Sequence, residues 1–116
     1  VLRMQEEFGC APEDIRAAIG PCIGRCCFEV GPEVPDAMRE ALGADAEAAI
    51  EPRGEKAHVD LKLLNRIWLQ KAGVQVIDVS PDCTMCHPDR FWSHRVTGGA
   101  RGSQAAIIRL KGGAAQ

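Results

Sequence analysis

The stretch DLKLLNRIWLQKAGVQVIDV, residues 60–79, predicts a helix that leads directly into a strand. Asp60 suits the N-cap position, and Gly73 suits the position just after the last helical turn. The apolar stripe between them consists of Leu61, Leu64, Ile67 and Trp68. The opposite, polar face carries Lys62, Arg66 and Gln70. Residues 74–79 are rich in β-branched side chains, which favour a strand. This succession predicts an α/β fold.

Shorter elements are predicted on both sides of this pair. Residues 1–8 are typical of the end of a helix that stops at Gly9, and residues 15–19 of a short buried strand. The further predictions are an extended segment over 26–30, a helix over 35–42, a short strand over 57–59 and a final strand over 104–110. Residues 111–116 are rich in Gly and Ala and are predicted to be a disordered tail. We therefore expect residues 1–110 to form one domain or part of one.

Length and composition exclude several classes of protein. The 116 residues are 46% hydrophobic and 26% charged, as expected for a globular domain with a modest core. A formal net charge of -2 gives no field that would favour nucleic acid or anionic lipid. No apolar run approaches the roughly 18 residues of a membrane span. The first residues contain no basic-then-apolar signal segment and no initiator Met, so we expect a truncated chain.

Six cysteines are many for a chain of this length. In a small secreted protein they would suggest three disulfides. Here a signal segment is missing, and a disulfide between the adjacent Cys26 and Cys27 would be strained. We therefore predict reduced thiols in a cytoplasmic protein, some of them packed as small hydrophobic side chains.

Two cysteine-containing stretches are candidates for a functional role. Residues 20–31, GPCIGRCCFEVG, could form a loop whose backbone amides approach a ligand, or a plain turn whose thiols face the core. The glycine spacing is not that of a dinucleotide-binding loop. Cys83 and Cys86 form a C-x-x-C pair that can bind zinc, act as a redox pair, or simply pack in a loop. A zinc site would need further ligands, from His87, His94 or the Cys26/Cys27 pair.

The third candidate stretch combines aromatic and basic residues. Residues 91–95 read FWSHR, and Arg101 follows in a Gly-rich segment. Aromatic faces stack on flat ligands, arginine binds anions through paired hydrogen bonds, and His94 is suited to acid–base chemistry near neutral pH. The alternative is a core aromatic pair beside solvated charges. No Ser/His/Asp triad can be assigned without geometry, and His58 is expected to be structural.

These stretches together resemble one family. Residues 18–31, AIGPCIGRCCFEVG, are similar to its GPxIGxCCxEVG segment. Asp60-Leu61 with Asn65-Arg66 is similar to its "DL…NR" helix, and residues 83–95 to its "CT…C…FFSxR" loop. The chain resembles the laccase-domain proteins, also called multicopper polyphenol oxidoreductases, purine nucleoside phosphorylase-like proteins or peptidoglycan editing factors. The resemblance extends over about residues 15–110.

The resemblance implies a layered α/β/β/α sandwich, of which this chain would be the C-terminal half. It also implies a zinc-dependent enzyme that phosphorolyses purine nucleosides or deaminates adenosine, with a copper-dependent phenol oxidase as the older description. Alternatives are a non-enzymatic zinc-thiolate module built on Cys83, Cys86, His87 and one further thiol, and an editing factor for cell-wall precursors.

Two departures from the family pattern limit what the resemblance implies. The family's metal ligands, two His and one Cys, lie in "VHG", "DC" and "HAGWRG" segments of its N-terminal half. Neither "VHG" nor "HAGWRG" occurs here, and the dipeptide Asp82-Cys83 belongs to the matched "CT…C" loop. We therefore expect no metal ligand and no catalytic residue of that kind in this chain. Arg95-Val96-Thr97 stands where the family often has Arg-Arg-Asp, so no role passes to residues 96 and 97.

The expected role of this chain is to bind substrate. The predicted substrate-binding residues are Phe91, Trp92, Ser93, His94, Arg95 and Arg101. The ligands would be a purine nucleoside and phosphate, with zinc (or copper) held outside this chain in the full-length protein, where it would activate water or polarise a substrate group. Neither nucleic acid nor a membrane is an expected partner. Exposed core surface would favour self-association.

Overall fold

The computed structural model describes residues 1–109 and 111. Its α-helices in this part of the chain are α1 (Leu2–Phe8), α2 (Glu33–Leu42), α3 (Leu61–Lys71) and α4 (His94–Thr97). Its strands are β1 (Arg16–Ile19), β2 (Glu29–Val30), β3 (Ile50–Arg53), β4 (Lys56–Val59) and β5 (Val76–Val79). Two 3-10 helices, Pro12–Asp14 and Gly43–Ala49, connect them. The predicted α/β class is confirmed.

The strands form one parallel pair and one antiparallel sheet. Strand β1 runs parallel to β5 in the register Arg16 to Val76. Strands β2, β4 and β3 lie side by side in that order and pair antiparallel, with β4 in the middle. Because parallel neighbours need a crossover, the whole segment from β2 to α3 connects β1 to β5.

The hydrophobic core lies on the antiparallel sheet. Helix α2 contributes Met38 and Leu42, which are buried against Val59 of the central strand β4. The remaining buried members of this core are Val30, Ala46, Ala49, Ile50 and Ala57. Helix α3 covers the core with its partly buried leucines and Ile67. The parallel pair β1/β5 is only partly covered, since Val76 and Val79 are exposed.

Helix α3 begins and ends where its local sequence predicts. The Asp60 carboxylate accepts a hydrogen bond from the backbone N–H of Leu63 at 3.0 Å, which caps the first turn. Gly73 follows the last turn with φ 99°, a conformation that favours glycine. The predicted ends of α1 at Gly9 and of α2 at Gly43 are confirmed as well, and α2 starts two residues earlier than expected.

Several predicted elements differ in the structure. The extended segment over 26–30 is wrong in its first half: residues 25–27 form a turn, because the N–H groups of Cys27 and Phe28 both donate to the Gly24 carbonyl. Strand β3 was not predicted; it contains Pro52, which a strand tolerates at the edge of a sheet. The strand over 104–110 is wrong for residues 104–109, which have no strand partner in the described chain. The predicted tail lies outside the described residues apart from Lys111.

Two positions of helix α3 reverse their expected environments. Trp68, predicted to face the core, is 52% exposed. Lys62, predicted to lie on the polar face, is buried, and its ammonium group donates to the carbonyl of Asp82 in the loop after β5. The apolar stem of a lysine can be buried when its charged end finds an acceptor.

Among the described residues, no helix is long and apolar enough to cross a membrane.

We predict that Asp60→Ala lowers the free energy of unfolding by about 1 kcal/mol, because the first turn of α3 loses its cap. Asp60→Asn should retain most of the stability, since Asn caps as well as Asp. Urea denaturation of the two variants and the parent measures the effect. Equal losses in both variants would assign the stabilisation to the ion pair with Arg25, 3.9 Å away, instead of the cap.

Candidate functional site: a cleft and a thiol cluster at the ends of β1 and β5

The loops that follow β1 and β5 lie at the same edge of the molecule, because the two strands are parallel neighbours. The pairing continues past the strand ends, where the N–H of Ser80 donates to the Ile19 carbonyl at 2.8 Å. Further along the chain, Cys22 and Cys83 form an isolated parallel bridge. The N–H of Thr84 donates a hydrogen bond to the Cys22 carbonyl at 3.1 Å. Ligands of open α/β folds commonly bind outside the carboxyl ends of the strands.

An open cleft of about 490 Å³ lies at this edge. Its volume is within the range of small-molecule sites. The lining residues are Pro21, Cys22, Ile23, Phe28, Thr84, Trp92, Ser93, His94, Arg95, Arg101, Gly102, Ser103 and Gln104. The structure therefore brings five of the six predicted substrate-binding residues to one cleft. Phe91 does not line it; its ring is half-buried beneath the Arg90 guanidinium, 5.3 Å from the ring centre.

Trp92 is fixed by the segment that follows α4. A Cβ atom added to Gly102 would lie 2.9 Å from two atoms of the Trp92 indole, so only glycine fits there without displacing the ring. The amide of Gln104 donates to the Trp92 carbonyl at 3.2 Å. The indole nevertheless remains 52% exposed and presents surface to the cleft.

Arg95 joins α4 to strand β2. Its guanidinium donates to the Glu29 carbonyl at 2.7 Å and lies over the Phe28 ring, 5.2 Å from the ring centre. A hydrogen bond and a cation–π contact on one guanidinium hold its orientation. Arg95 therefore stabilises the wall of the cleft and offers only its remaining N–H groups to a ligand.

Ser93 and His94 have different roles at the start of α4. Ser93 is buried, and its hydroxyl accepts from the Val96 N–H at 3.4 Å as the N-cap of the helix. His94 is exposed at the first helical position and faces the cleft. Arg101 is also exposed, and its described hydrogen bond is to the neighbouring Gly102 carbonyl at 3.2 Å. The imidazole of His94 and the remaining guanidinium N–H groups of Arg101 are therefore accessible to a ligand.

Eight of the thirteen residues that line the cleft were not among the predicted substrate-binding residues. Phe28, Cys22 and Thr84 line it together with the predicted set. Cys22 and Phe28 lie in the candidate stretch 20–31, and Thr84 lies between Cys83 and Cys86. The signal for their meeting is that the loops after parallel strands lie at one edge.

A cluster of four thiols lies beside the cleft. The Sγ atoms of Cys26 and Cys27 are each 3.4 Å from the Sγ of Cys86. Together with Cys83, these ligand atoms all lie within 4.8 Å of one another. The C-x-x-C pair is therefore completed by the Cys26/Cys27 pair, whereas His87 and His94 do not belong to the cluster.

The thiols of the cluster differ in acidity. Burial raises the pKa of Cys27, with hydrogen bonds to Cys86 and Cys26 adding to the effect, and the pKa of Cys26 is also raised. Burial opposes ionisation of Cys83 as well, yet its pKa is lowered to about 6. The cause is backbone donation to its sulfur by the N–H groups of Gly24, Cys86 and Met85. Cys83 therefore gives up its proton more readily than Cys26 or Cys27.

The catalytic zinc implied by the family resemblance does not fit the residues present. Such a site needs three protein ligands and an open position for water or substrate. Within residues 1–109 and 111, the one group of three or more candidate ligands is the four-thiol cluster, which offers a closed set without histidine. No catalytic step of this chain is therefore assigned to a metal.

The comparison with known proteins agrees with these motifs and with the fold. A family model described as multi-copper polyphenol oxidoreductase laccase matches residues 1–111. The chain belongs to this family. The resemblance carried by residues 18–31, 60–66 and 83–95 is thereby confirmed.

Curated relatives in this family carry the names of purine nucleoside enzymes. Purine nucleoside phosphorylase YlmD of Bacillus subtilis is 38% identical over 114 residues, which are 96% of this chain and 41% of that protein. A human purine nucleoside phosphorylase is 33% identical over 96% of this chain and 26% of its own length. An adenosine deaminase from an unknown prokaryotic organism is 38% identical over 78% of this chain and 36% of its length.

Solved structures share the fold. YlmD from Geobacillus stearothermophilus superimposes with a TM-score of 0.81 at 38% identity, covering 87% of this chain and 38% of that one. The YfiH protein of Bacillus licheniformis gives a TM-score of 0.79 at 36% identity, over 84% of this chain and 38% of that one. This chain spans between 26% and 41% of the length of the curated relatives named above.

We predict that Gly102→Ala displaces the Trp92 indole without unfolding the protein. The added methyl group would overlap the ring, whereas residues 101–104 are coil that can move away. The near-ultraviolet circular dichroism and the emission maximum of Trp92 should change, while the thermal midpoint stays within about 2 °C. Gly20→Ala is the matched control, because a Cβ there meets no atom within 4 Å. An unchanged Trp92 signal in Gly102→Ala would contradict the close packing.

Proposed function

We propose that the cleft binds a purine nucleoside together with phosphate, and that the protein acts as a purine nucleoside phosphorylase or adenosine deaminase-type enzyme. The observation that carries the proposal is the cleft itself: an exposed indole, an imidazole and a free guanidinium surround about 490 Å³. The names of the relatives, purine nucleoside phosphorylase and adenosine deaminase, supply the substrate class.

Trp92 is the residue that would bind the purine. A flat aromatic ligand stacks on an aromatic face, and the indole surface is held in place by Gly102 while remaining accessible. Stacking between a base and an aromatic side chain is worth about 1–3 kcal/mol. The Phe28 ring, covered by the Arg95 guanidinium, closes another part of the wall.

Arg101 is the residue that would bind phosphate. A guanidinium can donate two parallel hydrogen bonds to a phosphate, and Arg101 is exposed with its contact limited to a backbone carbonyl. Arg95 acts as a positioning residue, because two of its contacts are already used within the protein. Ser93 positions His94 by capping α4.

His94 would move a proton in the bound complex. Its imidazole is exposed at the cleft, and the ring carries nitrogens that can donate or accept a hydrogen bond. An imidazole N–H that donates to a ring nitrogen of the purine would help the base to leave, and donation to phosphate would orient the anion. Zinc in the whole protein, with copper as the alternative, would supply activated water or polarisation of the substrate. Its two-His, one-Cys ligand set is not formed by the residues described here.

Two further properties belong to the proposal. We place the protein in the cytoplasm, where thiols such as the adjacent Cys26 and Cys27 stay reduced. Leu2, Phe8 and Trp68 are exposed apolar side chains on α1 and α3, and they support self-association. Neither nucleic acid nor a membrane is a proposed partner, and no residue of the cleft favours cell-wall editing.

We predict that inosine or adenosine quenches the fluorescence of Trp92. Trp68→Phe provides a background in which Trp92 is the one tryptophan, because the chain has two. In that background, Trp92→Phe should preserve most nucleoside affinity, whereas Trp92→Ala should weaken it about 5- to 100-fold through lost stacking. Isothermal titration calorimetry measures the affinities of the variants. Wild-type affinity in Trp92→Ala would remove the indole from the binding site.

We predict that Arg101→Gln weakens phosphate binding about 10- to 100-fold, because a charge-assisted pair of hydrogen bonds is lost. In steady-state kinetics of the whole protein, the KM for phosphate should rise while the KM for the nucleoside changes little. Arg53→Gln is the control, since Arg53 is also exposed and pairs with Glu51 away from the cleft. An unchanged KM for phosphate would exclude Arg101 from the anion site.

A further inference from the structure

The four thiols beside the cleft come from two loops that are distant in sequence. We propose that Cys26, Cys27, Cys83 and Cys86 bind one zinc ion in a closed, structural tetrathiolate site. Such a site is separate from the cleft residues and from any catalytic zinc of the two-His, one-Cys type. It does not depend on the identity of the substrate.

The distances between the sulfur atoms fit a single tetrahedral ion. A zinc–sulfur bond of about 2.3 Å gives a tetrahedron whose edges are about 3.8 Å long. The cluster has edges of 3.4 Å from Cys86 to both Cys26 and Cys27, and every pair of its ligand atoms lies within 4.8 Å. Adjustments of less than about 1 Å therefore bring all four sulfur atoms to the edge length of the tetrahedron. Thiolate ligands favour zinc over magnesium and calcium, which prefer oxygen.

The backbone around the cluster is shaped for it. The Gly24 N–H donates to the Cys83 Sγ at 3.2 Å, a type of contact that orients and stabilises a metal-bound thiolate. A Cβ atom on Gly24 would lie 3.3 Å from the Cys83 Cβ and 3.4 Å from the Cys26 Sγ. The turn at residues 25–27 points both adjacent thiols toward Cys86, whereas an extended strand would direct them to opposite faces.

A buried cation next to the cluster supports an anionic centre. Lys62 is 8% exposed, and within residues 1–109 and 111 its ammonium group forms no ion pair; it donates to the Asp82 carbonyl. It lines a second cleft, of about 390 Å³, with Cys26, Cys83 and Asp60, whose carboxylate pairs with Arg25. Buried charges in proteins are normally paired. Zinc with four thiolates carries two negative charges, which would offset Lys62.

Disulfide formation explains the arrangement less well. Cys26 and Cys27 are equally close to Cys86, so a single disulfide would leave one of them and Cys83 without a partner. A bond between the two neighbours would be strained. One ion uses all four thiols at once and leaves Cys10 and Cys22 outside the site.

The first test measures zinc in the intact protein, purified without chelator under reducing conditions. Cys86→Ser should contain one equivalent of zinc less than the parent, because a ligand is lost. Cys10→Ser removes a thiol outside the cluster and should retain the parental content. Equal zinc in all three proteins would overturn the proposal. Nucleoside turnover is not part of the readout, so failure of the enzyme assignment would leave this result unaffected.

The second test does not depend on folding of a variant. The metal-free parent is alkylated with and without added zinc, and the modified cysteines are identified by mass spectrometry. Zinc should protect Cys26, Cys27, Cys83 and Cys86 while Cys10 stays reactive. The same alkylation pattern in both samples would overturn the proposal. The proposal would also be overturned by protein that is freshly isolated without reductant, contains no zinc, and shows a disulfide from Cys86 to Cys26 or Cys27 in its peptide map.

Discussion

The parallel pairing of β1 with β5 is the constraint on which the site depends. Residues 16–19 and 76–79 are about sixty positions apart, and their hydrogen bonding sets two loops side by side. The pairing extends to the bridge between Cys22 and Cys83. Without this register, the C-x-x-C pair and the Cys26/Cys27 pair would not meet, and the wall built from residues 91–95 would have nothing opposite it.

The energy that maintains this pairing comes largely from elsewhere in the fold. A two-stranded sheet is marginal by itself, and β1 and β5 bury little of their own surface. The crossover between them contains the antiparallel sheet, α2 and α3, whose packed core includes Val59 and Met38. Gly73 and Val74 lie in the connection between helix α3 and strand β5, and Val74 is almost fully buried. The stable half of the molecule thus sets the position at which β5 begins.

Local signals in the sequence predicted the elements whose ends depend on their own residues. Asp60 and Gly73 defined helix α3 because capping and left-handed backbone are local effects. The same reasoning placed Lys62 and Trp68 incorrectly, since their burial is decided by distant groups. Lys62 is buried because its ammonium group donates to the carbonyl of Asp82, twenty residues further along the chain. A strand was predicted over 104–110, but a strand needs a partner, and among the described residues 104–109 have none and Ile107 is 96% exposed.

In the candidate site, too, local sequence predicted some features, and contacts between distant residues decided the others. The residue types of 91–95 and Arg101 indicated a binding surface, and five of these six side chains line one cleft. The members of the thiol cluster were named as candidate zinc ligands, but the sequence could not choose the Cys26/Cys27 pair over His87 and His94. Alternation along an assumed strand would send Cys26 and Cys27 to opposite faces. The turn that brings them together is made by hydrogen bonds to the Gly24 carbonyl, and a propensity scale contains no information on that contact.

The cleft and the cluster are coupled through a single step of the chain. Cys83 belongs to the thiol cluster, while the next residue, Thr84, lines the cleft. Successive Cα atoms are about 3.8 Å apart, so a shift of the Cys83 backbone also moves Thr84 in the wall of the cleft. Phe28 is related to Cys27 in the same way, and its ring carries Arg95. An ion that fixes the four thiols would therefore fix two walls of the cleft, although it would touch no ligand within it. On this basis the metal proposed here has a structural effect on binding, transmitted through Cys27–Phe28 and Cys83–Thr84.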